Sequence, residues 1–190
     1  YTSIAVTTDD SNDEIVYASS MGDGVIQYKN GTPVQSYNEK NAFKETAGGY
    51  GSGYCYIDGL AFDKNGNLWM TSSEVNHAVL VLDKAGAWHR LDIEQLRGVY
   101  TINDILITST NDKWIYVPRN TPKLVMIPNS ESLDEVSSYE FTTLIDTDGK
   151  ELTPSNYTCV AEDKDGYIWV GTNRGAVYFT KPRISSAEDK

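Results

Sequence analysis

The sequence predicts an all-β fold built from β-propeller blades, about four four-stranded antiparallel units with the last one incomplete. Three observations carry this. Short apolar strands alternate with Asp/Asn/Gly turns along the whole chain. A tryptophan-bearing strand recurs at Trp69, Trp114 and Trp169, with Val16 read as the equivalent position in the first unit. The spacing, about 50 residues, is that of propeller repeats. The 13 Tyr and 4 Trp suit pleated surfaces, where large rings pack well.

The first unit, residues 2–40, reads Ser3 to Val6, a turn at Asp9 to Asp13, Ile15 to Ser19, Gly24 to Tyr28, and an outermost strand Pro33 to Tyr37 after the hairpin pair Asn30-Gly31. The second, residues 57–97, reads Asp58 to Phe62, the turn Asp63 to Asn67, Leu68 to Thr71, Ala78 to Leu82 and Ala87 to Leu91. The third, residues 101–147, reads Asn103 to Ile107, a turn through Asn111-Asp112, Trp114 to Val117, Lys123 to Ile127 and Tyr139 to Leu144. The fourth, residues 156–180, centres on Asp163-Lys164-Asp165-Gly166 and Trp169, and shows no outermost strand. Gly66 and Gly166 close Asp-x-x-Gly turns that need a positive φ. Residues 38–56 form a Gly/Tyr-rich connector with Gly48, Gly49, Gly51, Gly53, Tyr50, Tyr54 and Tyr56. Residues 181–190 read as a polar tail. Because the first unit opens on an innermost strand and the fourth stops short, the arc is expected to belong to a larger ring. Its open edges would then be covered by a second copy or by further sequence.

The formal net charge is −11, which repels nucleic-acid phosphates and anionic bilayer surfaces. No apolar run approaches the length of a membrane span, and Tyr1-Thr2-Ser3 does not open a signal peptide. Cys55 and Cys159 lack metal-ligand spacing and fall at different repeat positions, so they read as two small buried side chains. His77 and His89 are the only histidines, and no nucleophile elbow, zinc-binding helix or phosphate loop accompanies them. An EF-hand loop starting at Asp163 would need Glu where Arg174 stands. No enzyme, metal or cofactor is therefore expected, although carboxylates are numerous enough to leave a polysaccharide-active enzyme as a remote alternative.

Propeller topology separates two faces. Turns between first and second strands lie on one; turns between second and third strands, and connections between units, lie on the other. The second face is the expected binding face. It carries Asp23, Tyr50, Tyr54, Asn76, His77, Arg119, Asn120, Asn173 and Arg174, a mixture suited to hydrogen-bonding and stacking on a glycan or anionic sugar.

The run Asp163 to Thr172, followed by Arg174 to Tyr178, resembles the two-component regulator propeller repeat of bacterial hybrid sensors, and Leu60 to Trp69 matches its first half. The third unit departs, with no turn Gly and with Pro118-Arg119 in place of Gly-Thr; the first has no Trp. The order of these degenerate units is similar to the N-terminal propeller of PorZ-like surface components of the type IX secretion system of Bacteroidetes. That resemblance implies an exported, non-catalytic binding or scaffold module in the periplasm or on the outer surface. Its partner would be a protein or a surface polysaccharide, with lipopolysaccharide the family's suggested ligand. The alternative is the ligand-sensing periplasmic propeller of a hybrid two-component sensor kinase.

Overall fold

The computed structural model describes residues 2–43, 45, 53–145 and 148–179. Among them the regular structure is strand, apart from one 3-10 turn at Glu94–Leu96. Residues 44 and 46–52 of the glycine-rich connector, Tyr50 among them, and the tail 181–190 lie outside the described residues.

Blade 1 consists of β1 (Ile4–Thr8), β2 (Glu14–Gly22), β3 (Gly24–Lys29) and β4 (Thr32–Tyr37), each antiparallel to the next. Blade 2 follows with β5 (Cys55–Phe62), β6 (Leu68–Ser72), β7 (Val79–Leu82) and β8 (Trp88–Leu91). The end of β2 pairs with the start of β5 through Met21↔Tyr56 and Gly22↔Cys55, which stitches the two blades together. Blade 3 has β9 (Ile105–Ile107), β10 (Lys113–Val117), β11 (Lys123–Ile127) and β12 (Tyr139–Phe141). A small hairpin, β13 (Leu144–Ile145) and β14 (Glu151–Leu152), leads into blade 4, made of β15 (Tyr157–Glu162), β16 (Ile168–Thr172) and β17 (Gly175–Phe179). The outermost strand expected to reach Leu144 thus ends at Phe141. Leu144 pairs with Leu152 instead and is buried in the layer between blades 3 and 4.

One side-chain device builds the first turn of every blade. Asp63 Oδ1 accepts the N–H groups of Asn65 and Asn67 at 2.9 Å each, and Asp163 Oδ1 those of Asp165 and Tyr167 at 2.9 and 3.0 Å. Asp9 Oδ1 accepts from Ser11 and Asp13, and Thr108 Oγ1 accepts from Asp112. These are Asx-type turns and their Thr counterpart. The second carboxylate oxygen then clasps the blade's tryptophan: Trp69 Nε1 donates to Asp63 Oδ2 at 2.9 Å and Trp169 Nε1 to Asp163 Oδ2 at 2.7 Å. Thr108 has one side-chain oxygen and that is engaged in the turn, so the buried Trp114 Nε1 has no hydrogen-bond partner among the described residues.

The shared turn also corrects the alignment of the first unit. Asp9 N–H bonds Asp13 O as Asp63 N–H bonds Asn67 O. The residue six beyond Asp9 is Ile15, not Val16. Ile15 is buried toward blade 2, whereas Val16 points to the opposite side of the sheet, because strand side chains alternate.

Three apolar layers join the four blades. Between blades 1 and 2 lie Ala5, Val25 and Phe43 against Leu60, Leu68 and Leu80, with Tyr17 edge-on to Phe62 and both Tyr37 and Phe43 edge-on to Trp88. Trp69 packs into the layer between blades 2 and 3 with Ile105, Ile115 and Val125; the Lys113 ammonium lies 4.4 Å from its ring centroid. Trp114 packs into the third layer with Ile168 and Val170 and stacks on Phe141. The outward sides of the arc are different. Trp169 is 40% exposed and Tyr178, stacked on it at 4.9 Å, is exposed as well. Ile4 and Val6 are exposed on the far side of blade 1. Cys159 is exposed, so only Cys55 is the buried thiol expected of both.

Candidate functional site

The starts of the innermost strands converge on the second face, and a cavity of about 430 Å³ opens there. Its walls come from three blades: Thr2 and Met21 from the first, Tyr56 and Asp58 from the second, Thr101, Asn103, Asp104, Tyr116 and Arg119 from the third. This volume falls within the range of small-ligand pockets. A neighbouring cleft reaches Cys159 and Val160 of blade 4 and shares the Asp104 and Tyr116 walls.

Polar side chains tie these walls together across blades. Ser73 Oγ donates to Asp58 Oδ2 at 2.6 Å and accepts the Ile102 N–H at 2.8 Å. Thr71 Oγ1 accepts the Gly59 N–H at 2.8 Å and donates to Asn103 O at 2.9 Å. Asn103 Nδ2 donates to the Tyr116 hydroxyl, which in turn donates to Thr158 O, each at 3.1 Å. Thr2 Oγ1 donates to Ile57 O at 2.6 Å. Buried networks whose members are satisfied hold their groups in one arrangement. Gly59 makes this close approach possible. A Cβ there would stand 2.7 Å from Ile105 N and 2.9 Å from Asp104 Oδ1.

Burial sets the electrostatics. It pushes the Asp58 carboxyl up to about 7, against the opposing Ser73 hydrogen bond. Asp104 is raised by burial too, opposed by the Ile105 N–H. The Tyr116 and Tyr56 phenols are raised by burial, Tyr56 also by the charge of Asp58. Arg119 is exposed at the rim.

Of the residues expected on the binding face, Arg119 lines this cavity. Tyr54 lies beside it, tilted against Tyr56 with ring centroids 6.2 Å apart and packed over Gly22. Asp23 sits in the β2–β3 turn with its N–H on Ser20 Oγ. Asn76 and His77 donate their backbone N–H groups to Glu45 Oε2, and the His77 ring meets Glu45 Oε1, which anchors the 38–56 connector to blade 2. Asn120 holds a turn at φ 70. Asn173 Oδ1 accepts the N–H groups of Ser155 and Asn156, while Arg174 lies in the adjacent β16–β17 turn. Asp23, Asn76, His77, Asn120, Asn173 and Arg174 are not among the residues lining the cavity. Sequence reasoning passed over Tyr56, Asp58, Asn103, Asp104 and Tyr116. The available signal was a carboxylate at or beside the start of an innermost strand in two successive units, at Asp58-Gly59 and Asn103-Asp104.

The described residues hold no group of three or more His, Cys, Asp or Glu arranged for a metal ion, and no helix long and apolar enough to cross a membrane.

Residues 151–174 match the two component regulator propeller family model. No curated protein matches the sequence. Among solved structures, PorZ of Porphyromonas gingivalis, described as an essential bacterial surface component of the type-IX secretion system, is similar with a TM-score of 0.77 and 20% identity, covering 92% of this chain and 24% of that one. The extracellular domain of a hybrid two component system protein of B. thetaiotaomicron gives 0.60 and 16%, covering 95% and 22%. Virginiamycin B lyase of Staphylococcus aureus gives 0.51 and 15%, covering 94% and 69%. The chain therefore spans about a quarter of the first two relatives. At these identities the likeness establishes the fold. The chain is an arc of β-propeller blades that carries a two-component regulator propeller repeat and shares its fold with PorZ and with hybrid two-component sensor extracellular domains.

Proposed function

We propose that the chain is a non-catalytic binding module of an exported bacterial surface protein, taking its ligand at the channel mouth of a larger propeller ring. In this reading residues 2–40, 57–97, 101–147 and 156–180 are the repeat units. The observation that carries it is the cavity lined by Asp58, Asn103, Asp104, Tyr116 and Arg119, its walls from three blades braced by the hydrogen bonds of Thr2 to Ile57 and of Thr71 to Asn103. Such a site presents donors, acceptors and aromatic edges in fixed positions, which is the requirement for recognition. The likeness to PorZ, a surface component, supports placement outside the cytoplasm, and a protein or surface polysaccharide as partner. The exposed Trp169 clasp supports the larger ring, since the same clasp in blade 2 is covered by blade 3.

The test is binding of surface polysaccharides and of outer-surface proteins to the chain, with the mass of each ligand followed in parallel. Binding that is lost in Arg119→Ala, with no change in ligand mass, supports the reading. A mass change that needs Asp58 or Asp104 would replace it with an enzyme. The match of residues 151–174 to the two-component regulator repeat favours a second reading, a periplasmic sensor propeller. The complete gene separates the two: a transmembrane helix and kinase mark the sensor, a secretion-sorting domain the surface component.

A further inference from the structure

The charges lining the channel-mouth cavity are of both signs. Asp58 has one oxygen engaged by Ser73, and Asp104 has one engaged by the Ile105 N–H. Among the described residues, each keeps its second oxygen without a hydrogen-bond partner, and both carboxylates line the same cavity. Arg119, at the rim of that cavity, has no ion pair among the described residues. Its guanidinium follows Pro118, and Pro118 O accepts the Tyr157 N–H at 3.0 Å, so the base of the side chain is held by blade 4. Two carboxylates left with open acceptor sites, Asp58 half-buried and Asp104 exposed, favour a ligand that brings donors and positive charge. An unpaired guanidinium beside them favours an anionic group with paired oxygens. A ligand of one sign would satisfy one wall and be repelled by the other.

From this arrangement we infer that the channel mouth selects a compact zwitterion, its ammonium seated between Asp58 and Asp104 and its carboxylate or phosphate on Arg119. The inference rests on the proposed reading that ligand binds at this cavity, and it narrows that reading to one chemical class of ligand group. Tyr56 and Tyr116 supply the remaining walls, and their rings suit the short methylene spacer of such a ligand or the face of its ammonium. Two sources share this chemistry: the free end of a peptide or amino acid, and an ethanolamine-phosphate group of the kind that decorates surface glycans and lipids.

Isothermal titration of the purified chain with four probes distinguishes the possibilities. Glycylglycine and phosphoethanolamine are zwitterionic; ethanolamine and N-acetylglycine each carry one charge. At least one zwitterion is expected to bind tenfold or more tightly than both singly charged probes. Asp104→Asn should remove most of the gain from the ammonium, and Arg119→Ala most of the gain from the anion, each bringing the zwitterion near the level of one control. Arg119 is exposed, so that variant keeps the wild-type melting curve and the test does not depend on a folding defect. Binding of glycylglycine alone assigns a peptide end, and binding of phosphoethanolamine alone assigns the headgroup. Equal binding of singly charged probes, zwitterion binding indifferent to Arg119→Ala, or no heat from any probe at millimolar concentration overturns the inference. If the zwitterions fail while a neutral polysaccharide binds and is lost in Arg119→Ala, the zwitterion inference falls and the binding-module reading stands.

Discussion

Replacing Asp58 by asparagine should make the protein progressively more stable than its parent as pH rises. Asp58 titrates near 3.8 in an unfolded chain and near 7 in the folded one, because burial penalises its charge. Between those values the folded state binds more protons than the unfolded state. Stability contributed by the protonated acid is therefore complete below about 3.8 and is lost as pH rises toward 7. The difference is about three pKa units, or ~4 kcal/mol at 1.36 kcal/mol per unit, as a ceiling. The asparagine side chain keeps the shape and an oxygen to accept the Ser73 hydroxyl, and it does not ionise. Urea unfolding followed by tryptophan fluorescence at pH 4, 6 and 8 reads the effect. The two proteins should be close at pH 4, and the gap should widen by roughly 3 kcal/mol by pH 8 and level off there. The repulsion from the net charge of −11 acts on both proteins and cancels in the difference. A gap that stays flat within ~1 kcal/mol across the series would refute the argument, since it would mean Asp58 carries no penalty for ionising.

Other outcomes follow from the repeated tryptophan clasp and the tight turns. Trp69→Ala should cost ~3–5 kcal/mol, the usual range for deleting a large buried ring, whereas Trp169→Ala should cost about 1 kcal/mol, because no further blade among the described residues covers that ring. Urea midpoints of the two variants check this, and equal costs would contradict it. Trp114→Phe should stay within ~1 kcal/mol of the parent, since its indole N–H is already unpaired, while Trp69→Phe should lose ~1.5–3 kcal/mol with its bond to Asp63. Gly24→Ala should unfold blade 1 or lower stability by more than ~3 kcal/mol: Gly24 has φ 81, and a Cβ would stand 2.2 Å from Tyr37 O. A thermal melt within a few degrees of the parent would show that the turn gives way more easily than its geometry implies.

Much of the fold was legible because it is made locally. Asp63, Gly66 and Trp69 lie within one turn and one strand, and so do Asp163, Gly166 and Trp169, so the hydrogen bonds that build each turn are visible as a spacing. The misreadings arose where spacing loses its meaning. In blade 1 no tryptophan marks the strand, and Ile15-Val16 are both apolar, so only the Asp9 to Asp13 bond shows which of them faces blade 2. After blade 3, Phe141 and Leu144 belong to different strands because Leu144 pairs with Leu152. Sequence spacing also does not show that Asn173 Oδ1 and the backbone N–H groups of Asn76 and His77 bond neighbouring loops, since their partners lie far along the chain.

By itself the sequence determined the order of the strands within each blade and the turn chemistry at Asp63 and Asp163. These depend on hydrogen bonds a few residues long and on the two-residue period of a strand. Only the tertiary structure decided which of three similar tryptophans stays open to solvent and which carboxylates line the same cavity. Trp69 and Trp169 have the same local bonds and differ in whether another blade lies against them. Asp58 and Asp104 lie far apart along the chain. They line one cavity because Gly59 lets blade 3 approach blade 2, and burial there is what raises both carboxyls.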